Sequence, residues 1–134
     1  MGRKQLPFER LDVYQAALDF AVLVHRMTQR VPRGNRSLVD QLRRASTSVV
    51  TNTAEAASEF AKAEKARIFR IALRSVGECF GVLALMERLG FASEHATSEI
   101  RDVGDRVFAM LTRLAKRLPD DPPMEPPPSR SRSR

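Results

Sequence analysis

The chain has no tryptophan, one tyrosine and one cysteine, and each shortage removes a class of explanation. A single thiol, Cys79, cannot close an intramolecular disulfide, so 134 residues must hold a core by burial alone. The two histidines, His25 and His95, lie on different segments, and neither has a helical Glu or His at metal-ligand spacing. No metal and no cofactor is expected. There is no glycine-rich phosphate loop and no nucleophile elbow, so no catalytic residue is nominated and the chain is not expected to be an enzyme. Long apolar runs are missing as well. Nothing approaches the roughly 20 residues of a membrane span, and Met1-Gly2-Arg3-Lys4 leads to Pro7 rather than to an apolar signal segment. The expectation is a reducing, cytoplasmic setting without a membrane partner.

Lysine is scarce too. Of 23 basic residues only four are lysine (Lys4, Lys62, Lys65, Lys116), against 16 acids and a net charge of +7. Residues 119–134 carry three acids and three arginines, so the whole surplus lies in the first 118 residues. Arginine offers planar, bidentate contacts to phosphate, and a pI near 10.7 is the electrostatic footprint of a polyanion binder. A genome that favours arginine codons produces the same surplus with no partner at all. Composition leaves both readings open.

Four segments show helical periodicity. The first runs from about Glu9 to Arg30, with Leu11, Tyr14, Leu18, Ala21, Val22 and His25 on one face, and Val31-Pro32-Arg33-Gly34-Asn35 breaks it. Ser37 is an expected N-cap for the second, which groups Leu38, Leu42, Ala45, Val49, Ala56 and Phe60. The third spans about Glu64 to Leu89 and stops at Gly90. Ser93 opens the fourth, where Ile100, Val103, Val107, Met110, Leu111, Leu114 and Leu118 keep the period to Pro119. Short connections imply antiparallel neighbours, hence an all-α, up-down-up-down four-helix bundle over residues 9–118. Residues 1–8 are a lead-in. Residues 119–134 hold six of the eight prolines and a Ser-Arg alternation, the composition of a flexible tail.

The third segment is apolar over more of its circumference than one core needs. Ile68, Ile71, Ala72, Ser75, Cys79, Val82, Leu83, Met86 and Leu89 form one stripe. A second holds Phe69, Leu73 and Phe80 beside the small residues Gly77, Gly81 and Ala84. Two mid-helix glycines each cost about 1 kcal/mol relative to alanine, which a close backbone approach would offset. The second stripe therefore predicts a subunit interface, the alternative being a helix central to its own bundle. Polar residues crowd the second segment. Arg44, Asn52 and Glu55, with Ser75 and Glu78 of the third, are expected to form a partly buried network that fixes register. Arg74 has Glu78 one turn on as an ion-pair partner, leaving Arg67 and Arg70 for phosphate or solvent.

These segments resemble a bacterial four-helix bundle family first recognised in open reading frames within 23S rRNA intervening sequences. Three ordered motifs carry the resemblance: Phe8-Glu9-Arg10-Leu11-Asp12-Val13-Tyr14-Gln15-Ala16-Ala17 at the start; Gln41-Leu42-Arg43-Arg44-Ala45-x-x-Ser48 with Asn52-x-Ala54-Glu55 in the second segment; and Ser75-x-x-Glu78 in the third. The family often has proline where this chain has Val50, and usually glycine where it has Ala56, so a kink or tight contact found elsewhere in the family is not expected here. The resemblance implies a ring-shaped homo-oligomer, commonly a pentamer, and no enzyme. A related branch, the accessory variability proteins of diversity-generating retroelements, forms basic pentamers that bind nucleic acid and a reverse transcriptase. The sequence thus points to a homo-oligomer that contacts nucleic acid, structured RNA above all. The nominated contacts are Arg33, Arg36, Arg67 and Arg70, with Arg113, Lys116 and Arg117. The alternative is a protein-interaction scaffold whose basic surface docks an acidic protein partner.

Overall fold

The computed structural model describes residues 2–118; the predicted tail at 119–134 lies outside them. A 3₁₀ turn, Pro7–Arg10, precedes helices α1 (Asp12–Thr28), α2 (Arg36–Ser58), α3 (Lys62–Arg88) and α4 (Glu94–Lys116). Among the described residues there is no strand. Each helix packs on two others, in the cyclic order α1–α2–α3–α4–α1, with no diagonal pairing. That is the up-down-up-down square its short connections require.

Local chemistry sets the boundaries. The first helix starts at Asp12, later than its periodicity predicts, because Leu11 is extended (φ −73°, ψ 134°). The preceding turn is tied instead by the Glu9 carboxylate, which accepts the Leu6 N–H at 2.6 Å. Ser37 does not cap α2. The helix begins one residue earlier, and Asn35, at the cap position, turns its side chain back to the Pro32 carbonyl at 3.0 Å. Ser93 does cap α4, accepting from Ala96 N–H at 3.1 Å. At the end of α3, Gly90 takes φ +80°, the Phe91 N–H reaches the Met86 carbonyl at 2.8 Å, and the Gly90 N–H reaches Glu87 at 3.1 Å. This is the paired closure of a Schellman motif, and only glycine adopts the positive φ without strain.

The core face of α1 corrects the expected one. Val13, Ala16, Ala17, Phe20, Val24 and Met27 are buried, whereas Tyr14, Leu18, Ala21 and His25 are half-buried and Leu11 and Val22 exposed. Phe20 decides the rotation. Its ring is fully buried and reaches α4 at Gly104, where an added Cβ would stand 3.0 Å from it. Burying one such ring stabilises by about 1.5–3 kcal/mol, and Gly104 leaves the space that lets it enter. The expected faces of α2 and α4 are otherwise observed, with one exception: Phe60 lies beyond the end of α2 and is 99% exposed. Helix α2 passes Val50 and Ala56 without a break, and Ala56 is fully buried. The hydroxyl-rich stretch of α2 stays helical because its side chains bond the preceding turn: Ser46 to the Arg43 carbonyl (3.0 Å) and Thr53 to Val49 (2.6 Å).

Candidate nucleic-acid interface

The seven nominated cations do not form one surface. Arg33 and Arg36 are exposed at the pole made by the α1–α2 and α3–α4 connections. Arg113, Lys116 and Arg117 are exposed at the opposite pole, where α4 ends. A helix as long as α2, with 23 residues, separates the two by about 35 Å at about 1.5 Å per residue. Arg67 and Arg70 lie in the first half of α3. Arg67 is engaged within the helix, its Nε donating to the Glu64 carboxylate at 3.0 Å, and that bond holds the Glu64 carboxyl below its usual range. The expected Arg74–Glu78 pair is not formed.

The pole at the end of α4 contains a feature that single-helix periodicity misses. A cleft of about 370 Å³ opens there between α1, α3 and α4, walled by Leu11, Val13, Phe69, Met110 and Leu114. Lys65, Arg113 and Arg117 supply its positive charge and Asp12 its one carboxylate. Lys65 was not nominated. Its signal lies in the helix register: Phe80 packs at Gly104 and Glu87 bonds Thr97 and Arg101, so antiparallel α3 and α4 bring residue 65 level with the end of α4. Phe60 and Leu6 border an adjoining cavity of about 330 Å³, which shares Ala57 and Lys65 with the cleft.

The expected polar network is smaller than predicted. Ser48 and Ser75 hydroxyls meet at 2.9 Å across α2 and α3, and Asn52 Nδ2 donates to Ser48 Oγ at 2.9 Å. Arg44, Glu55 and Glu78 take no part and are exposed. The short hydroxyls satisfy one another without charge, and drawing three ions inward would add a desolvation cost that exceeds their mutual attraction unless every polar atom is satisfied. The charged polar cluster links α3 to α4 instead. Thr97 donates to Glu87 at 2.6 Å and Arg101 Nε at 3.1 Å, so the Glu87 carboxyl is held below its usual range, first by Thr97 and then by Arg101 against opposing desolvation. Arg101 also lies over the Phe80 ring, 5.7 Å from its centroid.

The proposed interface stripe of α3 divides in the same way. Phe69 belongs to the protomer's own core, at 2% exposure, which corrects its assignment to a subunit contact; it stands one heptad before Val76 and two before Leu83, both fully buried, and so shares their face. Leu73 and Phe80 are half-buried and pack against that core. Gly77, Gly81 and Ala84 are exposed, and a Cβ built on either glycine meets nothing within 4 Å. Leu85 and Phe108, which sequence reasoning did not single out, are 46% and 45% exposed. The α3–α4 register sets Phe108 level with Gly77.

Of the other candidate groups, Cys79 and His25 make their contacts within the protomer. Cys79 is fully buried, and burial, with the Glu78 charge second, pushes its thiol up to about 12. His25 Nδ1 lies 2.9 Å from the Ala21 carbonyl, an intrahelical contact. His95 is exposed on α4. Among the described residues no three His, Cys, Asp or Glu side chains come together as a metal site, and no helix is long and apolar enough to cross a membrane.

Fold and surface together define a basic, antiparallel four-helix bundle with exposed cations at both poles. Residues 9–113 match the 23S rRNA-intervening sequence protein family, and the chain belongs to that family. Among solved structures it is similar to a protein of unknown function from the S23 ribosomal protein family of Bacteroides thetaiotaomicron. That likeness has a TM-score of 0.72 and 22% identity, and covers 78% of this chain and 98% of the other. At that identity the likeness speaks to the fold alone. No curated protein matches the chain.

Proposed function

We propose that this chain is a non-enzymatic, homo-oligomeric basic bundle that binds nucleic acid, structured RNA above all, through its arginine-rich poles. The observation that carries the reading is the state of the cations. Arg33, Arg36, Arg113, Lys116 and Arg117 are exposed and, among the described residues, none of them pairs with a carboxylate. Unpaired guanidinium groups that repeat around an assembly hold condensed phosphate well, because each neutralised phosphate releases a counterion. Shape and backbone would be recognised, with base identity secondary.

Assembly rests on the α3–α4 side. Gly77, Gly81 and Ala84 give a second copy room to approach, and Leu85 and Phe108 flank that strip with apolar surface open to water. The family resemblance sets the expectation of a pentameric ring, in which each subunit's cations are multiplied, and composition sets that of a cytoplasmic setting. Such a ring would serve as an accessory to a nucleoprotein enzyme such as a reverse transcriptase.

Labelled structured RNA and duplex DNA, titrated across salt with assembly mass recorded on the same sample, test the reading. Tight binding by an oligomer that weakens steeply with salt is the expected result. Absence of binding at low salt would overturn it and leave the arginines to an acidic protein partner.

A further inference from the structure

We propose that the pole at the end of α4 is a seat for unpaired nucleotides: one base enters the cleft beside Leu11 and Leu114, a neighbouring base stacks on Phe60, and Lys65, Arg113 and Arg117 hold the phosphates. The inference rests on the nucleic-acid reading above and adds that the strand recognised at this place is single.

Three observations converge. The Phe60 ring is 99% exposed in the connection between α2 and α3, a position that gives the protomer no burial in return for an aromatic side chain. Beside it lies a cleft of ligand-binding size, about 370 Å³, with apolar walls. Lys65 borders both the cleft and the cavity under Phe60, so a cation stands between the two apolar surfaces. An exposed aromatic ring, an apolar slot and interleaved cations together match a strand of alternating flat bases and phosphates. A perfect duplex does not fit, because its base faces are already stacked on one another.

The acids nearby are compatible with this arrangement. Glu9 accepts from Leu6 N–H at 2.6 Å, Glu59 from Ala61 N–H at 3.0 Å, and Glu64 holds Arg67. Asp12, inside the cleft, has no hydrogen-bond partner for its carboxylate among the described residues. It is placed to accept from an exocyclic amino group, which adenine, cytosine and guanine carry and uracil lacks. The seat therefore prefers an amino-bearing base.

The test compares short single strands of oligo-A and oligo-U with a perfect duplex, by anisotropy at one salt concentration, on the full chain and on Phe60→Ser. Because Phe60 touches no core residue, the variant keeps the fold. Expected are tighter binding of oligo-A than oligo-U, and a loss on the order of 10-fold for single strands in Phe60→Ser, with duplex affinity unchanged. Single-strand affinity unchanged by Phe60→Ser, while the wild type binds RNA, would overturn this inference and leave the nucleic-acid reading standing. A fall in assembly mass in Phe60→Ser at unchanged RNA affinity would overturn it too, assigning the ring to a second copy of the chain. Failure of the wild type to bind these three probes and structured RNA alike at low salt would remove both readings together.

Discussion

Replacing Gly77 and Gly81 of α3 by alanine separates what the protomer needs from what an assembly needs. Both glycines are exposed, and a Cβ at either meets no heavy atom within 4 Å. The only term left in the protomer is helix propensity, about 0.8–1.0 kcal/mol in alanine's favour at each site. The double variant should gain about 2 kcal/mol, which for a domain of this size raises Tm by about 8 °C. Gly104 supplies the contrast. There a Cβ would fall 2.8 Å from two atoms of the Phe80 ring, and overpacking of that kind costs about 1–3 kcal/mol, enough to cancel or outweigh the same propensity gain. The assay is denaturant unfolding over a range of protein concentrations, with mass measured at each. A monomeric sample in which Gly77→Ala and Gly81→Ala destabilise would refute the open geometry of that face. Stabilisation with unchanged oligomer mass would refute the idea that the small residues serve a close approach between subunits.

Three further expectations follow from buried and half-buried polar groups. With its thiol pushed up to about 12, Cys79 has almost no thiolate near neutral pH, so native protein should react with iodoacetamide at least ~100-fold more slowly than unfolded chain; equal rates would contradict its burial. Glu87→Gln should cost about 1 kcal/mol near neutral pH, discounted for partial solvent access. Because the folded Glu87 carboxyl is held low, that stabilisation is complete above the ordinary carboxylate range and disappears as pH falls through the lowered folded value; pH-resolved denaturation of wild type and variant checks the sign. Ser75→Ala should cost about 1 kcal/mol, and combining it with Ser48→Ala should cost less than the sum, since both remove one 2.9 Å contact; strict additivity in a double-mutant cycle would refute the coupling.

The faces of α2 and α4 were legible in the sequence because apolar residues on them are well separated from polar ones. Helix α1 was not, since Leu11, Leu18 and Val22 compete with Val13, Phe20 and Val24 around one circumference. Only the notch at Gly104, 84 residues away from Phe20, settles that choice. Periodicity carried Phe60 onto α2 two residues past its end, because the pattern fits whether or not the helix has ended. The cleft was invisible for a related reason. Lys65 and Arg117 become neighbours through the register of α3 against α4, and register comes from packing, which no single segment encodes. Charged residues were the hardest to place. Arg44 and Glu55 share a helical face with Ser48, but their long side chains reach water while the hydroxyl stays in.

The alternating direction of the four helices has an electrical consequence. Each helix carries roughly half a positive charge at its N-terminus and half a negative charge at its C-terminus. At the cleft pole two helices begin, α1 and α3, and two end, α2 and α4, so the backbone contributions oppose one another and largely cancel. The potential that a phosphate meets there is therefore written almost entirely by side chains. Its sign can be rewritten at Lys65, Arg113 and Arg117 with no summed helix-end charge to overcome, a freedom that a bundle with parallel helices does not have.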